Sequence, residues 1–159
     1  RYYGSFVSFA ARGEMIPNEH SYCDVDPNVV DRYGIPVLRF HWKWSEHETK
    51  QMRHAHVTCR EIIEKMGGRV LTPMPTAESG YGIQTGGEII HEAGTTRMGD
   101  SPRTSVLNKY AQAHDAKNVF VADAGPFTTN AHKNATWTIL ALAWRTGEYI
   151  AEERRKGNL

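Results

Sequence analysis

Cysteine is scarce: Cys23 and Cys59 are the two thiols among 159 residues, and neither has a Cys-x-x-Cys companion. That spacing argues against a zinc site and a disulfide-built scaffold, and both residues are expected to be free, buried thiols. Net charge is small too. Basic residues number 19 and acidic ones 18, leaving +1, too weak a field to gather a polyanion, so no nucleic-acid partner is expected. The one long apolar run, near Trp137 to Trp144, falls far short of the ~20 residues of a membrane span, and the chain is expected to be soluble or peripheral. It opens at Arg1 with no Met and no signal-peptide pattern, which reads as a cut from something longer. The compartment, cytoplasmic or periplasmic, stays open, because any export signal would lie upstream.

Several catalytic patterns are broken. His91-Glu92-Ala93-Gly94-Thr95 has Thr95 where a zinc-binding His-Glu-x-x-His helix needs its second histidine. His54 and His56 stand two apart on a helical segment, so they are expected on different faces and not as paired ligands. No metal is expected. Asp24-Val25-Asp26 begins like a calcium loop without the glycine or closing Glu, and is expected to be a turn. Gly80-Tyr81-Gly82-Ile83-Gln84-Thr85 fails as a dinucleotide fingerprint at Thr85. No Gly-x-Ser-x-Gly elbow occurs, which argues against a hydrolase.

What is present is an ordinary globular composition, 40% hydrophobic and 23% charged, on a chain long enough to build a real core. Residues 1–36 read as short strands and loops, with turn signals at Asp26-Pro27-Asn28 and Tyr33-Gly34-Ile35-Pro36. Val37 to Trp44 alternates, with Leu38, Phe40, Trp42 and Trp44 on one face, which predicts a half-buried antiparallel strand. Ser45-Glu46-His47-Glu48 has capping-box spacing. A helix is expected from Ser45 to Met66, with Met52, His56, Cys59, Ile63 and Met66 as its stripe and Gly67-Gly68 as its stop. Residues 67–87 form a Gly- and Pro-rich connection expected to border a pocket. Glu88 to His91 is expected as a short strand and Val119 to Ala122 as a buried one ending at Asp123. A last helix is expected from Asn134 to Arg155, its start buried and its end in water.

Three pieces between His91 and Ala143 carry a resemblance. They are His91-Glu92-Ala93-Gly94-Thr95-Thr96-Arg97-Met98-Gly99 with Ser105-Val106-Leu107, then Asn118-Val119-Phe120-Val121-Ala122-Asp123, then Asn134-Ala135-Thr136-Trp137-Thr138-Ile139-Leu140. Together, in order and spacing, they resemble the C-terminal signature of glucose–methanol–choline (GMC) oxidoreductases. Met15-Ile16-Pro17-Asn18 and Tyr33-Gly34-Ile35-Pro36-Val37-Leu38 are similar to the sugar- and gluconate-dehydrogenase branch. Three departures occur: Ala135 for a common proline, Asp115 for a frequent glycine, and Gly125 for a common serine.

The resemblance implies an α+β fold. An antiparallel sheet with flanking helices forms a partial substrate lobe over residues 1–90, and residues 91–159 return to complete an FAD lobe with a strand and helix. It implies FAD as cofactor and a sugar or other alcohol as substrate. The N-terminal FAD-binding segment of the same enzyme is an implied partner, because the phosphate loop is missing and the chain is expected to be a fragment or one piece of a split enzyme. An electron-acceptor subunit is a possible further partner. His91 matches the catalytic histidine and Asn134 its partner. Asp123, Ala124, Ala135 and Thr136 match cofactor-binding positions.

The chemistry agrees with these roles. Alcohol oxidation removes a hydroxyl proton and a carbon-bound hydride, and histidine, with an ordinary pKa near ~6.5, accepts protons at neutral pH. An Asn134 amide can hold the same oxygen. The first amides of a helix at Ala135 and Thr136 favour negative charge on reduced flavin. Each residue also has a plain alternative: His91 as a core histidine, Asn134 as a helix cap, Asp123 as a turn residue. The competing functional reading is a non-catalytic sugar-binding or scaffold domain of the same fold.

Overall fold

The computed structural model of the chain describes residues 4–88 and 90–159. Strand β1 (Tyr22–Val30) is followed by strand β2 (Pro36–His41), helix α1 (Glu46–Lys65), a single 3₁₀ turn (Gly80–Gly82) and helix α2 (Thr136–Lys156). The class is the expected α+β, with β1 and β2 paired antiparallel.

Alternation explains the hairpin. Val25 pairs with Leu38 and Cys23 with Phe40 on the apolar face, while Asp24 pairs with Arg39 on the polar one. Arg39 donates to both Asp24 oxygens, at 3.0 and 2.7 Å, and this ion pair holds the Asp24 carboxyl below its ordinary pKa. The expected turn at Asp24 to Asp26 is instead strand. A bulge follows it, where Asp26 Oδ1 accepts from the Asn28 and Val29 amides and Pro27 has no N–H to offer the ladder.

Helix α1 begins as its sequence predicts. Ser45 is the N-cap, its hydroxyl accepting from the His47 amide at 3.2 Å, and Glu48 accepts from the Ser45 amide at 2.7 Å. Gly67, at φ +77°, supplies the left-handed stop. Glu48 does more than cap. Its other oxygen accepts from the Ile16 amide at 3.0 Å, tying the N-terminal segment to the helix.

Helix α2 is held from one side by the loop over residues 97–121. Tyr149 stacks on Tyr110 with centroids 4.0 Å apart, and the Thr146 hydroxyl is shared between the Leu142 carbonyl at 2.9 Å and the Tyr110 carbonyl at 3.1 Å. The expectation of a buried start is overturned: Trp137 is 83% exposed and Trp144 73%, with Leu140 between them on the same stripe. Among the described residues no other named helix or strand packs on α2, so none of them covers that stripe.

The buried core is Leu107, Ala111 and Ala113, joined by Met98, Ala116 and Val121. It is smaller than the chain length suggests. Total accessible surface is 12313 Å², where a compact chain of 18.0 kDa has about 8,000 Å². The expected buried strand at Val119 to Ala122 is reduced to one bridge, Gln112 with Phe120, and Val119 is exposed. Its partner segment turns away at Ala111, whose φ of +56° ends the ladder after two bonds. Glu88, Ile90 and His91 form no strand, and Ile89 lies outside the described residues. Both cysteines are free, as expected, but only partly buried.

Burial pushes the Glu48 carboxyl up, but hydrogen bonds from the Ser45 hydroxyl and the Ile16 and Ser45 amides outweigh it and hold the pKa below the ordinary carboxylate value. A carboxyl depressed in the folded state stabilises fully above its unfolded pKa, near ~4.3, and that stability is lost as pH falls through the folded value. Glu48→Gln should therefore cost about 1–3 kcal/mol at neutral pH, the worth of hydrogen bonds to a charged acceptor. Urea unfolding should show the difference from wild type shrinking below about pH 4. A difference constant with pH would contradict the assignment.

Candidate functional site

A cavity of about 870 Å³ opens between segments distant in sequence, inside the ~300–1,000 Å³ range of small-molecule sites. Helix α1 presents Met52, Ala55, His56 and Cys59 to it at spacings of three and four, so the first half of the predicted apolar stripe becomes wall. Ile63 and Met66 lie farther along and do not line it. Residues 82–87 form another wall, as expected of that connection. Trp44 donates from its indole nitrogen to the Gln84 carbonyl at 3.0 Å. Gly86 lies flat on Trp42, where an added Cβ would come within 2.7 Å of the ring.

His54 and His56 both border the cavity although they stand two apart on α1, because the space is wide enough to reach both sides of that helical turn. His56 Nε2 lies 3.0 Å from the Tyr81 carbonyl, fastening the 3₁₀ turn to α1. Among the described residues, no three of His, Cys, Asp and Glu converge as a metal requires.

The remaining wall is made by His91 with its neighbours and by residues 130–133. Met15 and Asn130 exchange backbone hydrogen bonds of 2.8 and 3.0 Å, and Gln51 binds the Glu14 backbone through both ends of its carboxamide. These bonds bring the N-terminal segment, α1 and the C-terminal segment together. His91 adopts φ +90°, a conformation costing a residue with a Cβ about 1–3 kcal/mol. The Asn130 side chain donates to the His91 carbonyl at 2.6 Å.

Asn134 is next in sequence to this wall but does not itself line the cavity, whereas His91 does. It is exposed and makes no side-chain hydrogen bond among the described residues. Nor does it cap α2: the N-cap is Ala135, which brings no capping side chain. No hydrogen bond joins Asn134 to His91 among the described residues. Their carboxamide and imidazole are uncommitted to one another.

The other two sequence motifs meet beside this wall. Gly94 donates to the Ala124 carbonyl at 3.1 Å, Thr96 to Gly125 at 3.2 Å and Met98 to Pro126 at 3.0 Å, zipping the histidine motif to the aspartate motif. Asp123 is exposed; its Oδ1 accepts from the Gly125 amide at 2.6 Å. Thr96 Oγ1 is buried without a partner among the described residues. Ala135 is half-buried and Thr136 exposed at the opening of α2.

One pair imitates a hydrolase. Ser105 Oγ lies 3.0 Å from His114 Nε2, but its single hydroxyl hydrogen is committed to the Ser101 carbonyl at 2.7 Å. Ser105 therefore accepts from the imidazole, and the pair is a loop fastener.

A family model described as "GMC oxidoreductase", covering the C-terminal domain, matches residues 17–143. The chain belongs to the GMC oxidoreductase family. Its relatives include the gluconate 2-dehydrogenase flavoprotein of Pantoea cypripedii, 29% identical over 97% of this chain and 25% of the relative. The 2-methyl-1,2-propanediol dehydrogenase of Mycolicibacterium austroafricanum is 34% identical over 94% of this chain and 26% of its own length. The fructose dehydrogenase large subunit of Gluconobacter japonicus is 26% identical over 95% and 26%. The chain thus spans about a quarter of the length of the curated relatives it matches. No helix among the described residues is long and apolar enough to cross a membrane.

GMC membership accounts for the His91, Asp123 and Asn134 motifs; Thr96 stands in the first of them with no role assigned to it, and Asn130 lies outside all three. Asn130 acts through a contact 39 positions away, which no local pattern signals. Thr96 gains meaning from Gly125, where an added Cβ would overlap its hydroxyl and come within 2.9 Å of Asp123 Oδ1. In this GMC chain the departure from serine at position 125 is thereby explained by crowding. Gly125→Ser should destabilise by about 1–3 kcal/mol, the usual cost of overpacking. Thr96→Ala removes the colliding atom, and thermal unfolding of the double variant should recover part of the loss. Additive losses would show that the two positions do not collide.

Proposed function

We propose that this chain supplies the proton-accepting and substrate-holding part of an FAD-dependent oxidoreductase acting on the CH–OH group of a sugar or other alcohol. The observation that carries the reading is His91: a family-signature histidine on the wall of a cavity of ligand size, held in a strained backbone conformation. Residues 1–90 form part of the substrate lobe, and residues 91–159 belong to the flavin lobe, with the N-terminal FAD-binding segment of the same enzyme as partner.

The residues present fit the cofactor the family uses. The amides opening α2 have no side-chain cap, and uncapped helix amides suit negative charge. Asp123 has its Oδ1 bound to the Gly125 amide and offers Oδ2 to a hydroxyl. Thr96 adds an orphaned buried hydroxyl beside it. Ala124 contributes its carbonyl to the Gly94 bond and so fixes the Asp123 turn. When bound, FAD supplies the acceptor, at N5, for the hydride that leaves the alcohol carbon.

The chain's own residues do the remaining work. An imidazole nitrogen of His91 takes the alcohol's hydroxyl proton, raising the alkoxide character that releases the hydride. Asn134 donates from Nδ2 to the same oxygen and orients the C–H bond. The amides at Ala135 and Thr136 stabilise negative charge placed before α2. Trp42, Trp44 and Met52 give the cavity apolar walls against which a carbon skeleton can rest.

The relatives named for gluconate and fructose favour a sugar-type alcohol, and the one named for 2-methyl-1,2-propanediol a smaller one. The "large subunit" in one of these names suggests a separate electron-acceptor subunit for this enzyme as well.

His91→Ala in the FAD-loaded enzyme should slow flavin reduction by at least ~100-fold, the lower range for loss of a general base. Asn134→Ala should slow it less. Stopped-flow bleaching of the flavin absorbance measures both. An unchanged rate for His91→Ala would remove His91 from this role, and a full-length protein that binds no flavin would favour the sugar-binding scaffold.

A further inference from the structure

We propose that Asn130 is the positioning residue of His91, holding the imidazole at the cavity by gripping the histidine's own backbone. The inference rests on the reading of His91 as the base and adds a residue to it.

His91 sits at φ +90°. A residue with a Cβ stays there only where its surroundings over-determine it. Among the described residues, the hydrogen bond that His91 makes is the one its carbonyl accepts from Asn130 Nδ2, at 2.6 Å. The grip has a firm base. The Asn130 amide and carbonyl are both engaged with Met15, at 3.0 and 2.8 Å, and Met15 follows Glu14, whose backbone Gln51 of α1 holds from both sides. A continuous path of hydrogen bonds therefore runs from α1 through the N-terminal segment to the histidine.

The side chain of Asn130 is not needed for that path's backbone bonds. Any residue with a backbone N–H could occupy the Met15 bridge, but a donor reaching the His91 carbonyl requires a side chain of this length with an N–H. The substitution Asn130→Asp would keep the shape and lose the donor, leaving two acceptors face to face. Misplacing a catalytic group by about 1 Å costs on the order of 100-fold in rate. Asn130 lines the cavity but touches no reacting atom in this scheme; its Nδ2 is committed to the His91 carbonyl, so its effect on the rate passes through His91.

The test uses the FAD-loaded full-length enzyme and three alcohols as probes: gluconate, fructose and 2-methyl-1,2-propanediol. Asn130→Ala and Asn130→Asp should each lower the flavin-reduction rate at saturating probe by about 10- to 100-fold, with flavin content and substrate affinity little changed. In the His91→Ala background the same substitutions should change the rate by less than about 2-fold, since nothing remains to position. Equal losses in both backgrounds would show a merely structural role and overturn the proposal, as would full activity of Asn130→Asp. A crystal structure of Asn130→Asp supplies a readout independent of turnover: His91 should leave its positive φ, and an unmoved His91 backbone would overturn the proposal. His91→Ala with unchanged reduction would refute the base reading instead, and the backbone readout would still decide the role of Asn130.

Discussion

Two reciprocal hydrogen bonds between Met15 and Asn130 join segments remote in sequence and tie together two walls of the cavity. Its walls come from the segment before β1, from α1, from the connection after α1 and from the residues flanking α2. Those pieces share no strand pairing that would assemble them. What assembles them is a short chain of backbone clasps: Glu48 on Ile16, Gln51 on Glu14, Met15 on Asn130, and Asn130 on His91. Each is worth only about 1 kcal/mol net. Breaking one would loosen the site well before it unfolded the chain.

The apolar surface points outward from this arrangement. Leu38 and Phe40 on the hairpin are 55% and 62% exposed, and Trp137 and Trp144 on the α2 stripe are barer still. Isolated exposed apolar residues are common, but a whole strand face and a whole helix stripe at their proper periods mark surfaces built to be covered. The chain spans about a quarter of its curated relatives, and the proposed two-lobe assembly would supply such cover. The small core of Leu107, Ala111 and Ala113 lies where the histidine and aspartate motifs zip together.

What was legible in the sequence was what is decided locally. Ser45 and Glu48 specify the start of α1 across three residues, and Gly67 specifies its stop, so helix and structure agree to within a residue. The alternation in β2 likewise needs no distant partner to be read. Val119 to Ala122 looked equally strand-like, yet Ala111 adopts φ +56° and ends its ladder. That is a property of the partner segment and is invisible at positions 119–122. The same holds at the site. The spacing of the signature singled out His91, but its backbone strain and the Asn130 clasp depend on contacts between remote segments. The exposed start of α2 differs from its expected burial because an apolar stripe reports a need for burial, not whether this chain meets it.

The two long helices treat their first turns in opposite ways. At α1 every resource is spent on closure: a serine cap, a returning glutamate and acidic residues in the first turn. At α2 the N-cap is alanine, among the poorest choices, and Asn134, one of the best capping residues, stands one position too early to cap it. An unfilled cap costs a helix about 1 kcal/mol, which a sequence avoids easily, as α1 demonstrates. Leaving it at α2 keeps both the helix amides and the Asn134 carboxamide without internal partners, close to the wall that carries His91. Donors left open at a helix start favour a ligand that accepts hydrogen bonds and carries negative charge, and this is the demand that an alkoxide and a reduced flavin would make together.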